Sequence, residues 1–230
     1  MNNIKEYIYD FVEGRVNAKD FITEIEKDPS VIAWMQSIVP PGKQMQIPVP
    51  ANPGDPYRPY RTENVPYDVA YQIWIWCRNA SVSSGFRKAS LAHQLNVHGE
   101  IARLMAEAFP DDPPKPDPTL HDKFCFLLDV CPSYIGGSEV EESGILEEIL
   151  NAVPKDLSKT AAKKWAKERI KELFHIKGRH YPYWIQEPEW PVFQGKPMEY
   201  VRTVRDSVEY QTHVFRDPHT GVERFVFDAH

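Results

Sequence analysis

The chain has 230 residues, 42% hydrophobic and 26% charged, with a formal net charge of −6 and a pI near 5.8. That length can bury a real core in one large domain or two small ones, and the composition is that of an ordinary soluble protein. The acidic balance argues against a general nucleic-acid binder or a ligand of anionic membranes. No run approaches the ~18 apolar residues needed to span a bilayer. The opening residues, Met1 to Ile8, lack a signal-peptide pattern, so the expected location is the cytoplasm.

Residues 3–13 carry Ile4, Tyr7, Ile8, Phe11 and Val12 at helical spacing, and Gly14 closes the helix. Asn17 is a good N-cap for a second helix bearing Phe21, Ile22 and Ile25, and Asp28-Pro29-Ser30 starts a third with Val31, Trp34, Met35 and Ile38. We read residues 1–40 as an N-terminal helical module. Residues 41–66 hold most of a run of eight prolines that begins at Pro40, so an extended, largely irregular connector is expected. Residues 67–230 form a helical layer followed by a small sheet. Val69, Ile73 and Trp76 share one face of a mostly apolar helix, broken at Ser83-Ser84-Gly85. A second helical stretch, Phe86 to Phe109, is expected to kink near Asn96 to Gly99. Leu120, Phe124, Leu127, Leu128 and Cys131 suggest the next helix, stopped by Pro132.

Ser138 with Glu141 reads as a capping box for a following acidic helix. Ser158 caps a basic helix over 159–175, with Ala162, Ala166, Ile170 and Leu173 as its apolar stripe. Acidic Glu139, Glu141, Glu142, Glu147 and Glu148 ahead of basic Lys159, Lys163, Lys164, Lys167 and Lys171 invite pairing between neighbouring helices, or a basic patch for an acidic partner or RNA. After residue 197 the period changes. Tyr200 to Val204, Val208 to Phe215 and Arg224 to Asp228 are rich in β-branched and aromatic residues, and Asp217-Pro-His-Thr-Gly221 is a turn. The fold class predicted is α+β: a mostly helical N-terminal portion packed on a C-terminal three-stranded antiparallel meander.

Chemical motifs are sparse. Cys77, Cys125 and Cys131 lack the spacing of a zinc or redox site and are expected to be buried thiols. His98-Gly99-Glu100 begins a zinc-deaminase pattern that no later P-C-x-x-C completes, so both side chains are expected on an exposed helix face. His175, His180, His213, His219 and His230 keep no ligand spacing and read as exposed strand and turn residues. Neither a metal nor a cofactor is expected. An enzyme with a pocket between helices and sheet would draw on His98, Glu100, Asp129 and Tyr134. A subunit that pairs symmetrically through an exposed apolar patch is the third possibility.

The densest feature is Tyr183-Trp-Ile-Gln-Glu-Pro-Glu-Trp-Pro-Val-Phe-Gln-Gly-Lys-Pro-Met198. One reading is a structural joint, with Trp184, Ile185, Trp190 and Phe193 plugging helices onto the meander. The other is a recognition surface, with Trp184 and Trp190 as anchors and Glu187, Glu189 and Lys196 in its polar rim.

The run Trp184-Ile-Gln-Glu-Pro-Glu-Trp-Pro191, then Gly195-Lys-Pro-Met198 and a hydrophobic strand, resembles the C-terminal signature of a family of uncharacterised bacterial proteins. Pro132-Ser-Tyr-Ile-Gly-Gly and Leu157-Ser-Lys-Thr look similar to the same group, which together spans about residues 124–228. The Trp-Ile-Gln element also resembles YwqG-like proteins and the immunity proteins of bacterial toxin systems. The resemblance implies no catalytic residue. It implies non-catalytic protein binding, with a basic toxin as one kind of partner.

Overall fold

The computed structural model describes residues 3–50, 60–77, 90–205, 207 and 209–229. Its contacts group the chain into two compact units, Met1–Phe86 with His93–Asp117, and Arg87–Ala92 with Pro118–His230. Each is described by itself.

The first unit opens with α1 (Ile4–Val12), α2 (Ala18–Lys27) and α3 (Pro29–Ser37). Their starts are set by side chains that satisfy otherwise orphaned N–H groups. Asn3, Asn17 and Asp28 accept from the N–H of Glu6, Asp20 and Ser30, and Pro29 sits in the first turn of α3. The apolar stripes converge: Ile8, Phe11, Val12, Phe21, Ile22, Ile25, Val31 and Met35 are all buried. Phe11 and Phe21 stack with centroids 3.9 Å apart.

Residues 44–50 and 60–66 depart from the irregular connector expected of them. Strands β1 (Gln44–Pro50) and β2 (Tyr60–Pro66) form an antiparallel ribbon, with Ile47 opposite Glu63 and Pro48 opposite Thr62. Proline is excluded from central strands, but a ribbon of two strands has none. Each strand keeps one open edge where a missing N–H costs nothing. Tyr57 lies outside the described residues.

Next comes α4 (Val69–Cys77), whose start is held by the Gln36 side chain. Gln36 accepts from the Val69 N–H (2.8 Å) and donates to the Tyr67 carbonyl (2.9 Å). Val69 and Ile73 are buried while Ile75 is exposed, so the helix is not enclosed all round. The side chains of Trp74, Trp76 and Cys77, and the expected break at 83–85, lie outside the described residues. Helix α5 (Leu91–Ala108) runs unbroken through Asn96 to Gly99, where a kink was expected. Hydrogen bonds within the turn outlast one glycine when Val97, Ile101, Leu104 and Met105 on the same helix are buried.

The second unit contains α6 (Thr119–Val130), α7 (Ser138–Ser143), α8 (Ile145–Asn151) and α9 (Lys159–Leu173). They are followed by a short ribbon, β3 (Val192–Phe193) with β4 (Lys196–Pro197), and a meander in the order β5 (Glu199–Arg205), β6 (Tyr210–Arg216), β7 (Glu223–Ala229). This is the predicted α+β class with its C-terminal antiparallel meander. Ser158 caps α9 through the Ala161 N–H. The helix stops at Leu173, short of the predicted residue 175, because His175 adopts φ 55 and turns the chain. One core serves helices and sheet alike: Val130, Ile135, Val140, Ile145, Ile149, Ala166, Ile170, Phe174, Trp190, Met198 and Phe215.

Candidate functional site

The segment from Tyr183 to Met198 lies where that core meets the meander. Trp190 is 1% exposed. Its ring meets Phe174 and Phe215 edge-on at 5.3 and 5.1 Å, and its indole N–H donates to the Met198 carbonyl (2.8 Å). Trp184 is half-buried, donates to the Tyr134 carbonyl (3.0 Å), stacks on Phe215 and meets His213 edge-on at 4.4 Å. Buried indoles satisfied in this way are packing elements. Trp190 therefore cannot anchor a partner from inside this fold.

Glu189 is exposed but committed. Its carboxylate accepts from the Ser138 N–H (3.2 Å) and the Ser138 hydroxyl (3.4 Å) at the start of α7. The predicted capping box is absent: Gly137 is the N-cap, and Ser138 is the first helical residue. Gly137 has φ +106, and a Cβ there would lie 2.6 Å from Glu189 Oε2 and 2.7 Å from its Cα. A carboxylate brought from 51 residues away thus does the capping that a local side chain was expected to do. Glu187 and Lys196 are exposed.

Beneath the sheet lies a polar network that residue spacing alone does not reveal. His213, expected on the surface, is fully buried, as are Gln211 and Asp228. Asp228 accepts from the N–H groups of Ile185 (2.6 Å) and Gln186 (3.1 Å), from Gln211 Nε2 (2.7 Å) and from His213 Nε2 (3.2 Å). Gln211 also donates to the Tyr183 carbonyl (2.6 Å). With its Nε2–H turned to the carboxylate, His213 accepts at Nδ1 from the Thr203 hydroxyl (2.8 Å), which in turn accepts from Tyr200 (2.7 Å). Tyr200 and Thr203 reach the same face because the register slips between Tyr200 and Arg202. Burial pushes Asp228 up, but the hydrogen bonds from Gln211, Ile185, Gln186 and His213 outweigh it and leave the carboxyl below its usual range. Burial holds His213 below the usual histidine value, and Asp228 offsets only part of that.

The order hydroxyl, imidazole, carboxylate is that of a nucleophile with its base and orienting acid. Here His213 is wholly enclosed, and the carboxylate is spent on two backbone N–H groups of the joint. The network staples residues 183–186 to the sheet.

Of the other candidate groups, His98 and Glu100 belong to the first unit and Asp129 and Tyr134 to the second, each with a partner of its own. His98 is buried rather than exposed. It meets Phe11 edge-on and its Nε2 lies 2.9 Å from the Val12 carbonyl. Glu100 pairs with Arg103. Asp129 binds Lys163 at 2.7 Å, which ties α6 to α9. Tyr134 stacks on Tyr181 at 3.9 Å. Cys125 is exposed, contrary to expectation, because its position on α6 faces outward beside His121. Cys131 lines an apolar cavity of about 480 Å³ together with Leu127, Leu128, Ile135, Val140 and Leu146. Burial pushes its thiol up to about 11, which leaves it a poor nucleophile. Among the described residues, no three His, Cys, Asp or Glu side chains are grouped to hold a metal. No helix among them is long and apolar enough to cross a membrane.

The opposite face of the sheet is where the structure departs most from ordinary patterning. A strand with alternating residues normally turns its phenylalanines to the core and its charges to water. Strand β7 does the reverse. Asp228 enters the buried network, and Arg224 Nη1 donates to both carboxylate oxygens of Glu139 (2.9 and 2.7 Å). Phe225 and Phe227 are left 65% and 66% exposed. On the same face Tyr210 stacks on Phe227, Val204 is exposed, and Arg202 stands in register with Val214, itself opposite Phe225. Alternate phenylalanines were visible in the sequence; which way they point was not.

The chain matches no protein-family model, no curated protein and no solved structure. The resemblance of residues 124–228 to a bacterial family thus rests on its motifs alone.

Proposed function

We propose that this protein works by non-catalytic binding of another protein, and that its contact surface is the outer face of the C-terminal sheet. The observation that carries this reading is the inversion of β7. Two phenylalanines are held in water while Arg224 and Asp228 occupy the inward positions. An exposed aromatic cluster costs solubility and favours unwanted association unless it meets a partner. Aromatic side chains with an arginine beside them are the residue types that dominate binding energy. Arg202 and the Arg216–Glu223 pair supply a polar rim. The Trp184 to Lys196 segment supports this surface from behind, with Glu187 and Lys196 among its exposed residues. The net charge of −6 would speed the approach of a basic partner, such as a toxin whose immunity protein this chain would be.

A photo-crosslinking residue placed at Phe225 or at Phe227 in cells of the native host tests the reading. A discrete crosslinked protein other than a second copy of this chain is expected from these two positions. Crosslinking from Glu187 and Lys196 but from neither phenylalanine would return the site to the Trp/Pro segment.

A further inference from the structure

The meander has two edges, and they are built differently. Strand β5 is blunted by its register slip and carries exposed Arg202 and Arg205, the usual defences against strand addition. Strand β7 has no register slip, and its exposed charges, Glu223 and Arg224, are confined to its start and paired with Arg216 and Glu139. It pairs with β6 through all seven residues without a bulge, contains no proline or lysine, and has no second strand partner among the described residues.

The backbone of β7 turns outward at definite positions. The Asp217 N–H bonds the Val222 carbonyl (2.8 Å) as the hairpin closes. Narrow and wide pairs alternate along an antiparallel ladder. Arg224, Val226 and Asp228 therefore spend their N–H and C=O groups on β6. Glu223, Phe225, Phe227 and Ala229 direct theirs to the open edge.

The centre of this strand, Phe225-Val226-Phe227, reads the same in both directions. We infer that the β7 edge is the docking site for β7 of a second copy, antiparallel about a two-fold axis through Val226, joining two three-stranded meanders into one six-stranded sheet. In that register Phe225 stands opposite the partner's Phe227, and Glu223 opposite the partner's Ala229. The four outward-turned residues thus meet only one another, and each pair exchanges both backbone bonds. Arg224 comes opposite the partner's Asp228, so no like charges face across the axis. A slip of one residue would match outward groups with groups already used on β6. A slip of two would set Phe225 opposite itself and Phe227 opposite the charged Glu223. The pairing consumes the edge and leaves the aromatic faces in line, so it is independent of what those faces bind.

The test uses the full chain in sedimentation equilibrium, with thermal unfolding to verify that each variant folds. The wild type is expected to form dimers. The F225K/F227K variant sets lysine opposite lysine and is expected to weaken the dimer at least ~10-fold. The F225K/F227E variant sets lysine opposite glutamate across the axis and is expected to recover dimerisation. A wild type that stays monomeric throughout overturns the inference, even if a different protein binds the sheet face. So does a dimer that both double variants abolish equally, which would indicate packing of the two faces rather than of the edges.

Discussion

At the scale of single residues, Asp228 concentrates more consequence than any group singled out by motif. It satisfies two backbone N–H groups of the joint and orients both His213 and Gln211. The pH dependence follows from signs. His213 is held below its ordinary value of 6.5. As pH falls below that value, the unfolded chain takes up a proton that the buried ring resists. Stability therefore declines through the interval down to the lower folded value, then levels off. Asp228 is also held below its ordinary 3.8. Its contribution is present above that value and is lost as pH falls further, through the folded one. Melting temperature measured from pH ~7 down to pH ~5 should fall for the wild type and change less for His213→Gln. An equal slope in both would detach the dependence from His213. None of this was legible from spacing. A histidine on a strand reads as a surface residue until the carboxylate 15 residues on is seen to turn inward beside it.

At the scale of elements, the reading was good where stabilising partners are local and poor where they are distant. The caps at Asn17 and Ser158 bond groups three residues ahead, and both were read from the sequence. The start of α7 was not, because Glu189 reaches it from another element. The ribbon β1–β2 is hidden in the sequence because its prolines exclude only strands paired on both edges, and neither of these is. For β7, existence and length were legible while its orientation was not. Pattern alone favours buried phenylalanines, and only Glu139 and the joint reverse that preference. The reversal makes a quantitative contrast. Replacing Phe225 and Phe227 together by Thr should change unfolding free energy by no more than about 0.5 kcal/mol per site in denaturant titration. Trp190→Ala, in the core, should cost about 3–5 kcal/mol. Comparable losses at the two places would mean that the outer face is part of the fold's own packing.

At the scale of the whole molecule, the chain divides its labour between two compact units. The sequence showed the helices of both and the meander of the second, because amphipathic periods and turn residues are local signals. It did not show that residues 44–50 and 60–66 pair, nor that His213 and Asp228 meet beneath the sheet. Both depend on contacts between residues far apart in the chain. That dependence has a kinetic side. Asp228 closes onto Ile185, Gln186 and Gln211, which precede it by 43, 42 and 17 residues. Contacts of such span form after the loops between them have paid their entropy. The aromatic joint should therefore lock late, after the helices have collapsed. In stopped-flow experiments Asp228→Ala should accelerate unfolding and leave the refolding rate nearly unchanged. A slowed refolding arm would instead put this carboxylate in the nucleus.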